Sequence, residues 1–296
     1  MERIGLIGMG LMGQAFIKNL HKSNFVVQGF DIDAERMDQL AEAGGVPVDT
    51  PAAVARDVKC VIISLPTSDI TQEVLLGGGG AALGSREGLY ICDTTTSLPE
   101  HSESNYTALK EHGIHYLDSA VSGTSVMAQA GDLVVISGGD EADFEVCRHY
   151  FSGFSRAAYH LGPAGSGART KLIINLILAG NRLALAEGLI MAEKIGLETG
   201  NLLDVLQDSA CASKTMADKG PKMINADYSK QGQVQWSLKD SRLMIGMGQK
   251  VGAPTMMIQL YSQIMQAAYE KGYGERDTVA FYEILRGMAG LDEHTP

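Results

Sequence analysis

The first half of the chain alternates short apolar runs, rich in β-branched residues, with amphipathic segments. Seven of these runs predict strands, at residues 3–7, 25–30, 60–65, 89–92, 115–117, 133–137 and 157–161. Helical segments between such runs imply crossover connections, which favour a mainly parallel sheet covered on both faces. The pattern therefore predicts a doubly wound α/β domain.

The pattern changes at Gly162, Pro163, Gly165 and Gly167, which are residues that interrupt regular structure. Apolar residues at helical spacing then predict a long helix over 170–195, which Gly196 ends. Further helices are predicted at residues 202–207, 237–251, 255–271 and 278–287, with Pro254 at a helix start. We therefore predict a sheet-containing domain at 1–163 and an all-α domain at 164–296, joined by the long helix.

The 296-residue chain carries a formal charge of -11. Nucleic-acid binding depends on clustered Lys and Arg that neutralise phosphates, so this charge disfavours nucleic acid as a partner. No uninterrupted apolar stretch approaches the ~18 residues of a membrane span. Because the N-terminal residues also lack the pattern of a signal peptide, we expect a cytoplasmic protein without a membrane segment.

The four cysteines form no CxxC pair and the seven histidines form no HExxH pattern. Spacings of that kind are typical of zinc sites and redox motifs. Cys60 and Cys92 lie in apolar, strand-like runs, which favours their interpretation as small buried thiols. We therefore predict no metal site and a reducing compartment.

The first predicted strand runs into a G-x-G-x-x-G pattern that opens a helix. In such a turn the first glycine permits a tight bend, the second lets the backbone approach a pyrophosphate, and the third lets the helix pack on the sheet. The N-terminus of the helix offers N–H donors to the phosphates. The pattern predicts a Rossmann-type dinucleotide-binding domain with cofactor contacts at Gly8, Met9, Gly10, Leu11, Met12 and Gly13.

Asp31 ends the second predicted strand, where a carboxylate can accept hydrogen bonds from a ribose hydroxyl. The same charge repels a 2′-phosphate, so Asp31 favours NAD over NADP. Arg36 follows five residues later and could approach such a phosphate, which keeps NADP open. A plain turn residue is the alternative interpretation of an aspartate after a strand.

Two polar segments close predicted parallel strands, at residues 64–67 and 93–96. Ligands of open α/β sheets bind at this edge. We therefore predict that Leu65, Pro66 and Thr96 line the nicotinamide half of the cofactor site. The glycine run at 77–80 lacks the Gly-Lys-Ser/Thr ending of a P-loop and predicts a surface turn.

Hydride transfer to or from a carbon that bears oxygen requires a group that gives or takes the proton of that oxygen. Lys171 is the candidate, because Asn175 lies four residues later on the same helix face and its amide can orient the same oxygen. Desolvation in a closed cleft would lower the pKa of the lysine toward neutrality. From spacing alone, a solvated lysine near the helix start remains the alternative.

Together, the glycine motif, residues 118–123 (Asp-Ser-Ala-Val-Ser-Gly) and residues 165–175 resemble the signatures of the 3-hydroxyacid (β-hydroxyacid) dehydrogenase family. Lys239 and Asp240 resemble a later motif, so the resemblance covers most of the chain. The family includes 3-hydroxyisobutyrate dehydrogenases, tartronate semialdehyde reductases and related short-chain semialdehyde reductases, and it is similar in architecture to 6-phosphogluconate dehydrogenase. The resemblance implies an oxidoreductase that interconverts a small hydroxy acid and its semialdehyde with a nicotinamide cofactor.

The resemblance also implies roles for individual residues. Lys171 is then the general acid/base and Asn175 supports it. Lys239 would reach cofactor or substrate from the helical domain, and an exposed surface lysine is its alternative interpretation. The loop of Ser122, Gly123 and Thr124 binds the substrate carboxylate, although the family usually has a second glycine in place of Thr124. A small carboxylate-bearing substrate and a homodimer or homotetramer are implied as partners.

Two other functions are compatible with these motifs. An imine reductase has a similar architecture but commonly lacks a lysine at the position of Lys171. A non-catalytic NAD-binding regulatory protein would keep the glycines and lose the set formed by Ser122, Lys171 and Asn175. The chain has both sets, which favours the dehydrogenase.

Overall fold

A computed structural model of the chain describes residues 1–84 and 87–292. It contains two compact units, Met1–Lys171 and Leu172–Pro296. The division between them falls inside a long helix, later than the domain boundary expected after residue 163. That boundary therefore stays a prediction.

The first unit is built on one sheet with the strand order β3-β2-β1-β4-β5-β6-β7-β8. Neighbouring strands are parallel except for β6 and β7, which are antiparallel. This confirms the doubly wound, mainly parallel α/β domain. The strands are β1 (Glu2–Ile7), β2 (Phe25–Phe30), β3 (Val46–Pro47), β4 (Cys60–Ile63), β5 (Tyr90–Asp93), β6 (His115–Ser122), β7 (Leu133–Gly138) and β8 (Ser155–His160).

The largest departures from the predicted strands are at β3 and β6. The two-residue β3 was not predicted, and its Pro47 suits the edge of a sheet, where a missing N–H donor costs no ladder bond. β6 extends five residues beyond its predicted end at residue 117. Its added residues include Asp118 and Ser119, whose polar side chains form hydrogen bonds inside the fold, with Ser119 Oγ 2.9 Å from Ser137 Oγ.

Helices cover both faces of this sheet. Cys60 and Ile62 of β4 pack in the same core as Phe16 and Phe144, whereas the alternate residues of β4 pack on the other face with side chains from α4 and α6. Because both of its faces are buried, β4 is apolar throughout rather than alternating. The helices are α1 (Leu11–Lys22), α2 (Ala34–Glu42), α3 (Pro51–Val54), α4 (Ser68–Leu76), α5 (Ala81–Gly84), α6 (Pro99–Lys110), α7 (Ser125–Ala130) and α8 (Glu141–Phe151).

The long helix α9 (Ser166–Lys194) starts earlier than the predicted residue 170. Gly167, predicted to interrupt structure, lies in its first turn, where a side chain would overlap the carbonyl oxygen of Asp118. The prediction for Gly167 was therefore wrong, since this glycine allows the helix to approach β6 closely. Gly196 has a φ of +78° and ends the helix as predicted.

The second unit is helical, which confirms the expected change of architecture. It contains α10 (Thr199–Asp208), α11 (Lys214–Ile224), α12 (Val234–Val251), α13 (Met256–Ala268), a π-helical turn (Tyr269–Tyr273), a 3-10 turn (Thr278–Ala280) and α14 (Phe281–Met288). α11 was not predicted, because Pro221 lies inside it and proline normally breaks a helix. The prediction that Pro254 starts a helix was also wrong, because Thr255 is the N-cap of α13.

α9 is long and apolar enough to cross a membrane, by length and composition alone. Its apolar residues Leu172, Leu183 and Leu189 are buried in the core of the helical unit. By contrast, Ile173 and Ile177 are 51% and 55% exposed, and they are four residues apart, so they share one helix face. α9 is thus a core helix that also carries an exposed apolar row.

Candidate active site

The loop between β1 and α1 has the backbone conformation that its glycines predict. Gly8 has a φ of +91°, and side chains at Gly8 and Gly13 would overlap the carbonyl oxygens of Ser64 and Gly8 respectively. A Cβ at Gly10 would meet no atom within 4 Å among the residues that the structure describes. Gly8 and Gly13 are therefore needed for packing, while Gly10 leaves open space beside the N-terminus of α1. This geometry fits a pyrophosphate.

Asp31 is bound directly to the glycine loop. Its Oδ2 accepts a 2.6 Å hydrogen bond from the Met9 N–H, and its Oδ1 accepts one from the Asp33 N–H. Arg36 Nη1 lies 3.3 Å from Oδ2 and is partly exposed. The carboxylate thus ties the end of β2 to the loop, and its predicted role toward a ribose stays a prediction.

The ends of β4 and β5 lie beside this loop. The Leu65 N–H donates to Thr95 Oγ1 at 3.2 Å. A Cβ on Gly8 would contact the Leu65 side chain as well as the Ser64 carbonyl group. Pro66 is exposed and Thr96 half-buried at the same edge of the sheet. Leu65 is therefore brought to the glycine loop, while cofactor contacts of Pro66 and Thr96 remain predictions.

The loop after β6 carries the predicted carboxylate-binding residues. Ser122 ends the strand, and Gly123 has a φ of +144° and is exposed. The Thr124 hydroxyl accepts a hydrogen bond from the Met127 N–H and caps α7. Thr124 therefore has a local structural role, which its side chain fulfils where the family usually has glycine.

The loop after β6 and the helix α1 are joined through α7. Asn19 of α1 donates through Nδ2 to the carbonyl oxygen of Ala128 at 2.6 Å, and both residues are buried. The hydrogen bond fixes α7, and with it the end of the Ser122 loop, against the helix that follows the glycine motif. The two predicted binding segments of the first unit are thus held in one rigid arrangement.

Asp118 carries no predicted role of its own, although it lies in the segment 118–123 that resembles a family signature. This buried aspartate of β6 accepts hydrogen bonds from the Gly165 N–H (2.9 Å) and the Ala168 N–H (2.7 Å). The Ala168 N–H belongs to the first turn of α9, three residues before Lys171, and the Gly165 N–H lies just before the helix. Helix N-termini favour a negative charge. Asp118 therefore fixes the start of the helix that carries Lys171 to the strand that ends at Ser122.

Burial raises the pKa of the Asp118 carboxyl to about 6, although its backbone N–H donors lower it. An aspartate in an unfolded chain has a pKa of about 3.9, so the folded state binds the proton more tightly. The contribution of this group to the free energy of unfolding is therefore fully present below pH ~4 and is lost as the pH rises through about 6.

We expect Asp118→Asn to remove this pH dependence. Between pH 7.5 and 5, the free energy of unfolding of the wild type should gain about 1.4 kcal/mol relative to the variant. Urea unfolding at both pH values, for both proteins, measures this difference. Parallel pH profiles of the two proteins would contradict a raised pKa at Asp118.

In the helical unit, Asn175 and Lys239 share one partner. Asn175 Nδ2 donates to Asp240 Oδ2 at 2.9 Å, and Lys239 Nζ lies 3.0 Å from Asp240 Oδ1. The hydrogen bond turns the amide nitrogen of Asn175 toward Asp240 and leaves its carbonyl oxygen on the opposite side. Asp240, which carried no predicted role, thus orients Asn175, one helical turn beyond the half-buried Lys171.

Comparison with known proteins identifies the chain over nearly its full length. A family described as the NAD binding domain of 6-phosphogluconate dehydrogenase matches residues 3–162. A second, described as NAD-binding of NADP-dependent 3-hydroxyisobutyrate dehydrogenase, matches residues 165–285. The chain belongs to the 3-hydroxyacid dehydrogenase family. It is therefore an oxidoreductase that uses a nicotinamide cofactor, NAD or NADP.

Relatives of this 3-hydroxyacid dehydrogenase match from end to end. Glyoxylate/succinic semialdehyde reductase 1 from Arabidopsis thaliana is 29% identical over 96% of this chain and 98% of its own. The 2-(hydroxymethyl)glutarate dehydrogenase of Eubacterium barkeri is also 29% identical, over 98% and 96%. Among solved structures, a 3-hydroxyisobutyrate dehydrogenase from Salmonella typhimurium has the same fold, with a TM-score of 0.88 at 22% identity over 96% of this chain and 100% of its own.

Imine reductases are more distant from this 3-hydroxyacid dehydrogenase. The imine reductase of Streptomyces aurantiacus has a TM-score of 0.65 at 17% identity, over 96% of this chain and 99% of its own. The two family matches and the dehydrogenase and reductase relatives confirm the dehydrogenase prediction over the imine reductase alternative.

Proposed function

We propose that the protein interconverts a small hydroxy acid and the corresponding semialdehyde, with Lys171 as the general acid/base. The observation that carries this proposal is the buried Asp118 carboxylate, which bonds the first turn of α9 to the strand that ends at Ser122. It ties the helix of the candidate acid/base to the loop of the candidate carboxylate site. Preorganisation of this kind is what acid/base catalysis requires.

In the oxidative direction, the neutral amine of Lys171 accepts the hydroxyl proton as the carbinol carbon loses a hydride and becomes a carbonyl. In the reductive direction, the ammonium of Lys171 returns a proton to the carbonyl oxygen. A bound nicotinamide accepts or supplies the hydride. Asn175, turned by Asp240, orients the same oxygen through its amide group.

The substrate carboxylate is assigned to the loop after β6. Ser122 offers a hydroxyl, and the exposed backbone of Gly123 offers an N–H without a side chain in the way. The Thr124 hydroxyl accepts from the Met127 N–H, and its own proton can donate a hydrogen bond to a ligand carboxylate. This assignment fits an acid with a carbonyl or hydroxyl near C3 or C4.

We further propose NAD as the preferred cofactor, since Asp31 places a carboxylate at the end of β2. A soluble homodimer or homotetramer in the cytoplasm is supported by two observations. The exposed apolar row of Ile173 and Ile177 on α9 is a surface suited to association. All four cysteines are free, which is typical of a reducing compartment.

The test is an assay of NADH and NADPH oxidation with a panel of small oxo acids. The panel contains glyoxylate and the succinic, methylmalonic, tartronic and sulfonated semialdehydes. We expect turnover on at least one member, a higher kcat/KM with NADH, and reversal with the matching hydroxy acid and NAD. Turnover on cyclic imines with none on the panel would contradict the proposal.

A further inference from the structure

Three of the four cysteines converge in the sheet-containing unit, although they are far apart in sequence. Cys60 begins β4, Cys92 lies in β5, and Cys147 is in the middle of α8. All three are fully buried, and their Sγ atoms lie within 4.8 Å of one another. Folding thus creates a cluster of three thiols, which we call the thiol cluster. The prediction of no metal site was based only on the spacing of cysteines and histidines along the chain.

We propose that the thiol cluster is a three-coordinate site for a soft monovalent metal ion of the copper(I) type. This site lies outside the residues of the candidate active site, and it does not depend on the proposed dehydrogenase reaction.

The geometry of the thiol cluster suits a single ion. A metal–sulfur bond is about 2.3 Å long, so three sulfurs around one ion lie about 4.0 Å apart. Cys60 Sγ and Cys92 Sγ lie 3.8 Å apart, and Cys147 Sγ lies within 4.8 Å of both. Small side-chain rotations therefore suffice to bring three sulfurs to bonding distance.

The chemistry of the ligands selects the type of ion. Thiolates prefer soft ions such as copper(I), whereas zinc in structural sites takes four ligands. The thiol cluster supplies three sulfurs within the apolar core that contains Phe144 and Phe151. Cysteine binds a metal ion as the thiolate, so binding of copper(I) to all three sulfurs releases three protons and copper remains in the +1 state. Because protons are released, copper(I) should bind more tightly as the pH rises.

A cavity lies next to α8 in the same unit. It has a volume of about 340 Å³ and is lined by Tyr106, Lys110, His115, Asp140 and Asp143, among others. His115 Nδ1 lies 2.8 Å from Asp143 Oδ1, and Asp143 is one helical turn before Cys147, on the same helix face. The cavity therefore ends one turn of α8 away from the thiol cluster. Cys60 lies at the amino end of β4, away from the edge that carries Leu65.

The test is a titration of the full-length, reduced protein with copper(I), delivered anaerobically from a bicinchoninate chelate. We expect one equivalent to be withdrawn from the chelate, and X-ray absorption of the loaded protein to show three sulfur neighbours. Copper(I) should raise the Tm of the wild type, because it binds the folded state.

Cys147→Ala should weaken copper binding by more than the ~10–100-fold that loss of an outer-shell partner costs, and should remove the rise in Tm. Cys211→Ser is the matched control, because Cys211 is exposed and lies outside the thiol cluster. It should bind one equivalent like the wild type. The proposal would be overturned if Cys211→Ser lost copper binding to the same extent as Cys147→Ala. It would also be overturned if the wild-type X-ray absorption spectrum showed two sulfur neighbours, or if the protein withdrew no copper from the chelate. Should Cys147→Ala fail to fold, the X-ray absorption spectrum of the wild type and the copper binding of Cys211→Ser still test the proposal.

Discussion

Replacing Lys171 by alanine should lower kcat by ~100-fold or more, the usual scale for loss of a general acid/base. The backbone around Lys171 is fixed by the bond from the Ala168 N–H to Asp118, and alanine favours a helix, so the fold should persist. No atom of the glycine loop is removed. Binding of NADH, measured by titration without substrate, should therefore be unchanged.

Two further variants separate proton transfer from other roles of Lys171. Lys171→Arg keeps a positive charge but cannot release a proton at working pH, so it should be nearly as inactive as Lys171→Ala. Lys194→Ala is the control for loss of a lysine at the other end of α9, where Lys194 Nζ donates to the Ala289 carbonyl oxygen. A normal kcat in Lys171→Arg would mean that Lys171 contributes its positive charge and not a proton. A normal kcat in Lys171→Ala would exclude Lys171 from the mechanism.

The sequence best predicts the segments whose structure depends on residues close together in the chain. The G-x-G-x-x-G turn is an example, because positive φ at Gly8 and close packing at Gly13 each demand glycine. Central strands such as β4 were found because burial on both faces makes them apolar throughout. Elements set by tertiary packing were missed, as with α11, where the burial of Met216 and Met223 outweighs the cost of Pro221.

The supporting residues of the candidate site were not predictable in this way. Asp118 bonds to residues 47 and 50 positions away, and Asp240 bonds to Asn175 across 65 positions. The thiol cluster likewise joins two strands and a helix. No local pattern specifies such pairs, because they result from the order of strands and from the packing of helices. Motif spacing therefore yields candidates for residues that face a ligand, but it gives no indication of the residues that hold those candidates in place.

Replacing Asp31 by asparagine should shift cofactor preference toward NADP. The amide keeps the shape of the side chain and can still accept from the Met9 N–H, but it no longer repels a 2′-phosphate. The substitution also removes the ion pair between residue 31 and Arg36. The guanidinium of Arg36 can then bind the 2′-phosphate bidentately. A hydrogen bond to a charged group contributes about 1.5–3 kcal/mol, so the ratio of kcat/KM for NADPH to that for NADH should rise by ~10–100-fold.

The matched control is Asp33→Asn, two residues later. Asp33 Oδ2 also lies 3.3 Å from Arg36, but Asp33 is exposed and caps α2 instead of contacting the glycine loop. If release of Arg36 alone governs the preference, both variants should change the ratio equally. If the carboxylate at the end of β2 excludes the phosphate, only Asp31→Asn should do so, and an unchanged ratio in Asp31→Asn would remove this residue from cofactor selection.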